Sequence, residues 1–386
     1  MHHSIPFATV AILAPVRTYV TCTASLCALV LLTFGVLRAE TFYEEPGGVG
    51  AHGGASPSTS DAFEGAVLPH ETPSRGPITW VDGGGLTPPW LCDFLSDCDG
   101  DYLAFSTLAG EHASLLSMEE LDARFTASKT GPTAEPVAQS TLERVVRDAL
   151  GVSFLFDDVG QLPLEVTHLA TTQTPRYRQD YLLLSDPWLG TFPVRVLAPP
   201  GVDVRASGNH PSILFLTGHL DSADSLIDEY DGLTLVDAGY VVWTLEARAD
   251  DGGATESWTA QTLLINGFSL MGLRAYEALV TLHLMQSAQG LDPSVVGLLG
   301  HSGGGALANV LVRLNPPFAA AIADHHADFY NIAEGQYVLC ETIFDLIPYV
   351  DQISDPSTAS MPMKRVEYGW PGGAGPLVRF FDQHLR

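Results

Sequence analysis

The sequence predicts an α/β protein with a mostly parallel sheet, helices on both of its faces, and an antiparallel hairpin ahead of it. Three observations carry this. Short, nearly continuous apolar runs recur at SILFLTG (212–218), YVVWTLEA (240–247), VVGLLG (295–300) and AAAIAD (319–324), as suits strands buried on both faces. Stretches of helical length and amphipathic spacing separate or follow them: SLIDEYDGLTLVDAG, SLMGLRAYEALVTLHLMQSA and GGGALANVLVRL, which would cover the sheet. Upstream, DYLLLS (180–185) and FPVRVLAP (192–199) flank the turn-forming DPWLG, predicting the hairpin.

Taken in order along the 386 residues, the chain begins with an uncharged segment, TYVTCTASLCALVLLTFGVL (18–37), between Arg17 and Arg38. Its length suits either a cleaved signal peptide or a retained membrane anchor within residues 1–39, with the remainder exported: secreted, periplasmic or held at a membrane. Residues 40–89 are rich in Gly, Pro, Ser and Thr, the composition of a flexible linker. Residues 90–139 form a small acidic segment in which Asp97, Asp99 and Asp101 alternate like the opening of a calcium loop. Tyr102 stands where that loop requires glycine and Leu108 where it requires the closing Glu, so an acidic turn is the alternative. Cys22 and Cys27 read as small apolar residues of the first segment; Cys92 and Cys98 are spaced for a small disulfide loop, which leaves Cys340 over. Ser140 and Glu143 form a capping box for a helix carrying Leu142, Val145, Val146 and Leu150 that stops at Gly151. That helix opens the main domain, 140–386.

A formal net charge of −27, with Lys129 and Lys364 the only lysines, repels nucleic acid and anionic surfaces. Nucleic-acid binding is thereby excluded as a function class, and attachment to a membrane falls to the N-terminal segment alone.

The chemistry centres on Gly300-His301-Ser302-Gly303-Gly304, a G-x-S-x-G pentapeptide between an apolar strand and a helix. On such a turn small residues are needed so that the serine stands out at the strand end. The Gly303 N–H supplies one oxyanion donor. The second is expected from the loop after ILFLTG, with Leu220 N–H the candidate and Gly218, His219 and His301 lining the pocket. Arg248, after YVVWTLEA, either faces the site or is a solvated surface residue.

These features resemble the bacterial acetyl xylan esterase-like family of the α/β-hydrolase fold over roughly residues 140–386: the hairpin, the TGH turn, YVVWTLEAR, the GHSGGG elbow and the stretch around Cys340. The resemblance implies hydrolysis of esters, small-molecule or carbohydrate, often acetyl groups on sugars, without a cofactor. In that family the first turn reads His-Gly-His, so Thr217 departs from it.

A second departure bears on mechanism. A serine nucleophile needs a histidine to take its proton and a carboxylate to orient that histidine. The resemblance places the histidine in a Gly-Gly-His turn near the C-terminus, and here Gly372-Gly373 precede Ala374. The expected acid is absent too, since Asp355 to Lys364 run through PSTASMPM without space for the usual strand and helix. Three alternatives stay open: Asp324 as the acid with His325 or His326 as base; His384 as base, though it sits where it would cap a helix; or a protein that keeps the fold and binds ligand without catalysis. Asp324, His325, His326 and Asp328 offer zinc-type side chains, but adjacent histidines do not converge on one ion, so no metal site is assigned.

Overall fold

The computed structural model describes residues 76–83 and 136–386, except 219–220, 223, 246, 249–258, 261–262, 265, 315, 325–348, 354, 367–369 and 371. All fall in one unit of the chain, residues 71–386. The first strand, β1, is Ile78–Asp82. Helices α1 (Gln139–Leu150) and α2 (Ser153–Asp158) follow, then strands β2 (Leu164–Gln173), β3 (Arg178–Asp186), β4 (Gly190–Ala198) and β5 (His210–Leu216). Next come α3 (Ser225–Asp228), α4 (Leu233–Asp237), β6 (Val241–Leu245), α5 (Leu270–Ser287), β7 (Leu291–His301) and α6 (Gly303–Leu311). The chain closes with β8 (Ala320–Asp324), α7 (Val350–Ile353), β9 (Met363–Val366) and α8 (Gly375–Leu385).

The strands form one nine-stranded sheet in the order β1-β2-β3-β4-β6-β5-β7-β8-β9. Pairings from β2 through β4 to β6 are antiparallel, and those of β6, β5, β7, β8 and β9 are parallel. The expected hairpin is β3–β4, in register from Arg178↔Ala198 to Asp186↔Gly190. Alternate residues of the central strands face two separate cores. Leu214, Leu216, Leu298, Ala321 and Ala323 face α5 and α6. Ile213, Phe215, Leu299, Ala320 and Ile322 pack toward α4 and α8 through Leu235, Leu377 and Phe381. This is the sandwich that the apolar runs demand, because each strand must be covered on both sides.

Several elements differ from the sequence expectation. Residues 78–82, inside the expected linker 40–89, are β1, which pairs in parallel with β2 from Ile78↔Leu164 to Asp82↔His168. Ile78 and Trp80 pack against the core, a two-residue alternation too short to stand out in Gly/Pro-rich surroundings. Strand β2, with its polar stretch of Thr and Gln, gave no apolar run to read. The capping box does not form: the helix begins two residues earlier, with Ala138 and not Ser140 as N-cap, so Ser140 lies inside it and Glu143 accepts instead from Arg147 at 3.2 Å. The single helix expected before β6 breaks into α3 and α4 around Asp231, at φ 52°. Helix α5 is not amphipathic; it is buried nearly all round, including Arg274, Glu277 and His283. Strand β9 lies directly beside β8, registered from Ala321↔Met363 to Asp324↔Val366. Among the described residues no helix is long and apolar enough to cross a membrane; the segment 18–37, the calcium-like loop and all five cysteines lie outside them.

Candidate active site

Ser302 occupies the junction between β7 and α6 with φ 50° and ψ −118°. A positive φ is uncommon for a residue with a side chain, and it costs about 1–3 kcal/mol that the surroundings must sustain. Two backbone bonds hold it: the Ser302 N–H donates to the Asp324 carbonyl at 2.6 Å, and the Ser302 carbonyl accepts from Ala306 at 3.0 Å. The turn also needs close approach of backbones. A Cβ on Gly304 would come within 2.2 Å of the Leu216 carbonyl oxygen, so β5 and α6 meet only because that residue is glycine. Gly303, first residue of α6, belongs to the turn whose N–H groups have no intrahelical acceptor.

Beside the serine a polar cluster crosses the C-terminal edge of the sheet. His301, 2% exposed, meets Asp324, 0% exposed, through Nδ1 to Oδ2 at 2.5 Å. The pairing follows from register, since His301 and Asp324 are direct partners across β7 and β8 and so share a face. His301 Nε2 lies 3.9 Å from Asp221 Oδ2. That same carboxylate accepts from the Gly218 N–H at 3.0 Å and from the Tyr230 hydroxyl at 3.1 and 3.2 Å. The Tyr230 ring lies 4.2 Å from the imidazole, and Trp370 sets its ring edge-on at 5.7 Å while its indole N–H donates to the Tyr230 carbonyl at 2.8 Å. The imidazole is thus walled by two aromatic rings and flanked by two carboxylates.

Gly218 is the wedge between these groups. A Cβ there would sit 2.8 Å from Ser302 Cβ, 3.0 Å from His301 Cδ2 and 2.7 Å from Asp221 Oδ2. Thr217, where the resemblance expects histidine, donates its hydroxyl to the Leu245 carbonyl and accepts the Ala247 N–H, both at 3.2 Å, tying the ends of β5 and β6 together. Thr217, Gly218, Ala247, Arg274, Gly303, Gly304 and Leu307 line a cavity of about 10 Å³, room for about one water. Arg274 donates twice to the Arg248 carbonyl, at 3.0 and 2.6 Å.

Arg248 is neither at the serine nor on the surface. It is 7% exposed, paired with Glu277 at 2.6 Å and bonded to the Leu189 carbonyl at 3.2 Å. Burial pushes the Glu277 carboxyl above its ordinary range, against the pull of Arg248 and Arg274. Asp186 is likewise raised by burial, against the N–H groups of Leu189 and Trp188 and the Tyr276 hydroxyl that it accepts.

The structure therefore brings together Ser302, Gly303, Gly218, His301 and Asp324. His219, Leu220, His325, His326 and Asp328 lie outside the described residues. His384 is in the last turn of α8 with its ring 4.7 Å from Phe380. Ala374 is fully buried at the start of α8 and donates its N–H to Asp231 at 3.4 Å. Sequence reading missed Asp221, Tyr230 and Trp370. Asp221 sits three residues beyond Gly218 and was open to notice; the aromatic pair is assembled only by the fold. Among the described residues no group of three or more metal-ligating side chains converges.

The strand order, the two-sided helical cover and the serine on a positive-φ turn between strand and helix define an α/β-hydrolase-fold protein. Solved structures similar to it include an acetyl xylan esterase from Paenibacillus sp. R4, at 14% identity and TM-score 0.49 over 68% of this chain and 99% of that one. Another is acetyl xylan esterase 1 from Thermoanaerobacterium sp. JW/SL YS485, at 14% identity and TM-score 0.45 over 69% and 99%. A Bacteroides fragilis protein aligns at 17% identity and TM-score 0.42 over 54% of this chain, which spans only 60% of its length. No protein-family model matches the chain, and no curated protein matches its sequence. At such identities and TM-scores the fold rests on the strand order and elbow described above.

Proposed function

We propose that this chain is an exported serine hydrolase of ester bonds that works through an acyl-enzyme on Ser302. The observation that carries the reading is the Ser302 backbone: φ 50° and ψ −118° at a strand-to-helix junction, stabilised by a bond from its own N–H to Asp324. A strained residue of this kind persists where the geometry is useful, here by lifting a hydroxyl out of the sheet edge. Attack by Ser302 on the ester carbonyl places the developing oxyanion toward the N–H of Gly303, with Leu220 N–H as the second donor. Asp324, buried beside the elbow, is the carboxylate that orients the base. Small-molecule and carbohydrate esters are the substrates, an assignment that follows the sequence resemblance, and the uncharged stretch 18–37 supports export.

A second reading, a ligand-binding protein without turnover, is favoured by Ala374 alone, which fills the expected histidine position with a buried methyl group. Hydrolysis of 4-nitrophenyl acetate by the purified protein, beside Ser302→Ala, separates the two. Turnover abolished by Ser302→Ala, together with fluorophosphonate labelling of Ser302, supports the esterase. Equal inactivity of both proteins toward short acyl esters, with no labelling, leaves the binding protein.

A further inference from the structure

We infer that His301, on the strand that carries the nucleophile, is the catalytic base of Ser302, with Asp324 as its orienting acid, in place of the histidine missing at 374. The inference rests on the ester-hydrolase reading and supplies the component that it lacks.

Geometry assigns the roles. Asp324 Oδ2 meets Nδ1 at 2.5 Å with both side chains buried. With the Nδ1 proton given to that carboxylate, Nε2 keeps the lone pair, the tautomer a general base requires. His301 Cδ2, the ring atom bonded to Nε2, borders the point beside Gly218 that Ser302 Cβ also borders. Any side chain at 218 would fill the gap between imidazole and serine. Asp221, 3.9 Å from Nε2, adds a second negative charge where the imidazolium forms. Asp221 is itself fixed by the Gly218 N–H and the Tyr230 hydroxyl, so it does not collapse onto the ring. Tyr230, tilted against the imidazole, and Trp370, in a T-shaped contact with it, hold its plane. The acids and the phenol facing His301 are Asp324 from β8, Asp221 from beyond β5 and Tyr230 from beyond α3.

The reaction balances on these groups. As Ser302 Oγ bonds to the ester carbonyl carbon, its proton passes to His301 Nε2 and the carbonyl electron pair moves onto oxygen. Collapse of the tetrahedral species breaks the bond to the alcohol oxygen, which leaves with that proton. Water then attacks the acyl carbon, delivering a proton to Nε2, and Ser302 recovers it as the acyl–oxygen bond breaks and the acid departs.

The test uses the full chain and 4-nitrophenyl acetate. Ser302→Ala must first abolish turnover; an inert wild type would overturn the esterase reading itself. Given an active wild type, His301→Gln lowers kcat about 10²–10⁴-fold, the usual contribution of a positioned base, with KM little changed. Added imidazole restores part of the rate in His301→Ala, which loss of a merely structural side chain would not allow. Should His301→Gln fail to fold, the nearly isosteric His301→Asn and the imidazole response carry the test. A folded His301 variant at the wild-type kcat overturns the inference with the esterase intact, as does turnover lost through His325→Ala/His326→Ala while His301→Gln keeps its rate.

Discussion

Replacing Ser302 by glycine should make the protein more stable than replacing it by alanine, although both variants lose the nucleophile. Alanine keeps the Cβ that makes φ 50°, ψ −118° costly, so it retains the roughly 1–3 kcal/mol of strain. Glycine removes that cost but brings back about 0.5–1 kcal/mol of unfolded-chain entropy. The difference favours Ser302→Gly by about 1 kcal/mol, which for a domain of this size is a rise of about 2 °C in Tm. Urea unfolding at equal m-value and calorimetry of both variants measure it. A glycine variant melting at or below the alanine variant would refute the reasoning: the junction would then be relaxed, and the geometry that presents the hydroxyl would fall with it.

Other expectations follow from neighbouring groups. Glu277→Gln removes the buried carboxylate paired with Arg248 at 2.6 Å and should cost about 3–5 kcal/mol, read as a fall in unfolding midpoint. Thr217→Val strips the acceptor from the Ala247 N–H in a buried setting and should cost about 1–3 kcal/mol, while Thr217→Ser retains most of the stability. Partial burial opposes ionisation of Asp203, but the Arg205 N–H and guanidinium and the Arg178 charge more than offset it, holding the carboxyl below 3.8. A depressed carboxyl stabilises the fold above its unfolded pKa and loses that contribution as pH falls through the folded value. Stability of the wild type should therefore exceed that of Asp203→Asn at pH 7, the gap closing below about pH 4 in acid-titrated thermal melts.

How much of this was legible in sequence depended on whether a residue's role is fixed locally. The parallel strands announced themselves because burial on both faces leaves them almost wholly apolar, and the elbow did so because strand, glycines and helix are contiguous. Strand β1 was hidden, since this edge strand owes its pairing to a partner far along the chain, Ile78 to Leu164, and the polar half of β2 carries no apolar run to mark it. Helix α5 deceived for the opposite reason: its spacing reads as amphipathic, yet its charged Arg274 and Glu277 each find a partner inside, around Arg248. Within the site, Ser302 and Gly303 were readable from five residues. Asp221, three residues beyond Gly218, was within reach of the same reading, but Tyr230 and Trp370 were not, because no spacing relates positions that meet only when α3 and the turn before α8 converge.

The two departures from the resemblance then acquire a shared physical sense. Thr217 satisfies the ends of β5 and β6 through one buried hydroxyl, where histidine would need space for a ring. Ala374 is fully buried, with its N–H on Asp231, and the turn before it sends Trp370 against Tyr230 and His301. The C-terminal turn is therefore occupied in packing an aromatic wall around an imidazole that already holds a carboxylate. An imidazole at 374 would need room that a fully buried alanine does not use. With Gly218 open between His301 and Ser302, the proposed nucleophile, base and acid fall within three consecutive features of the sheet edge: the elbow, the strand beneath it and the end of β8.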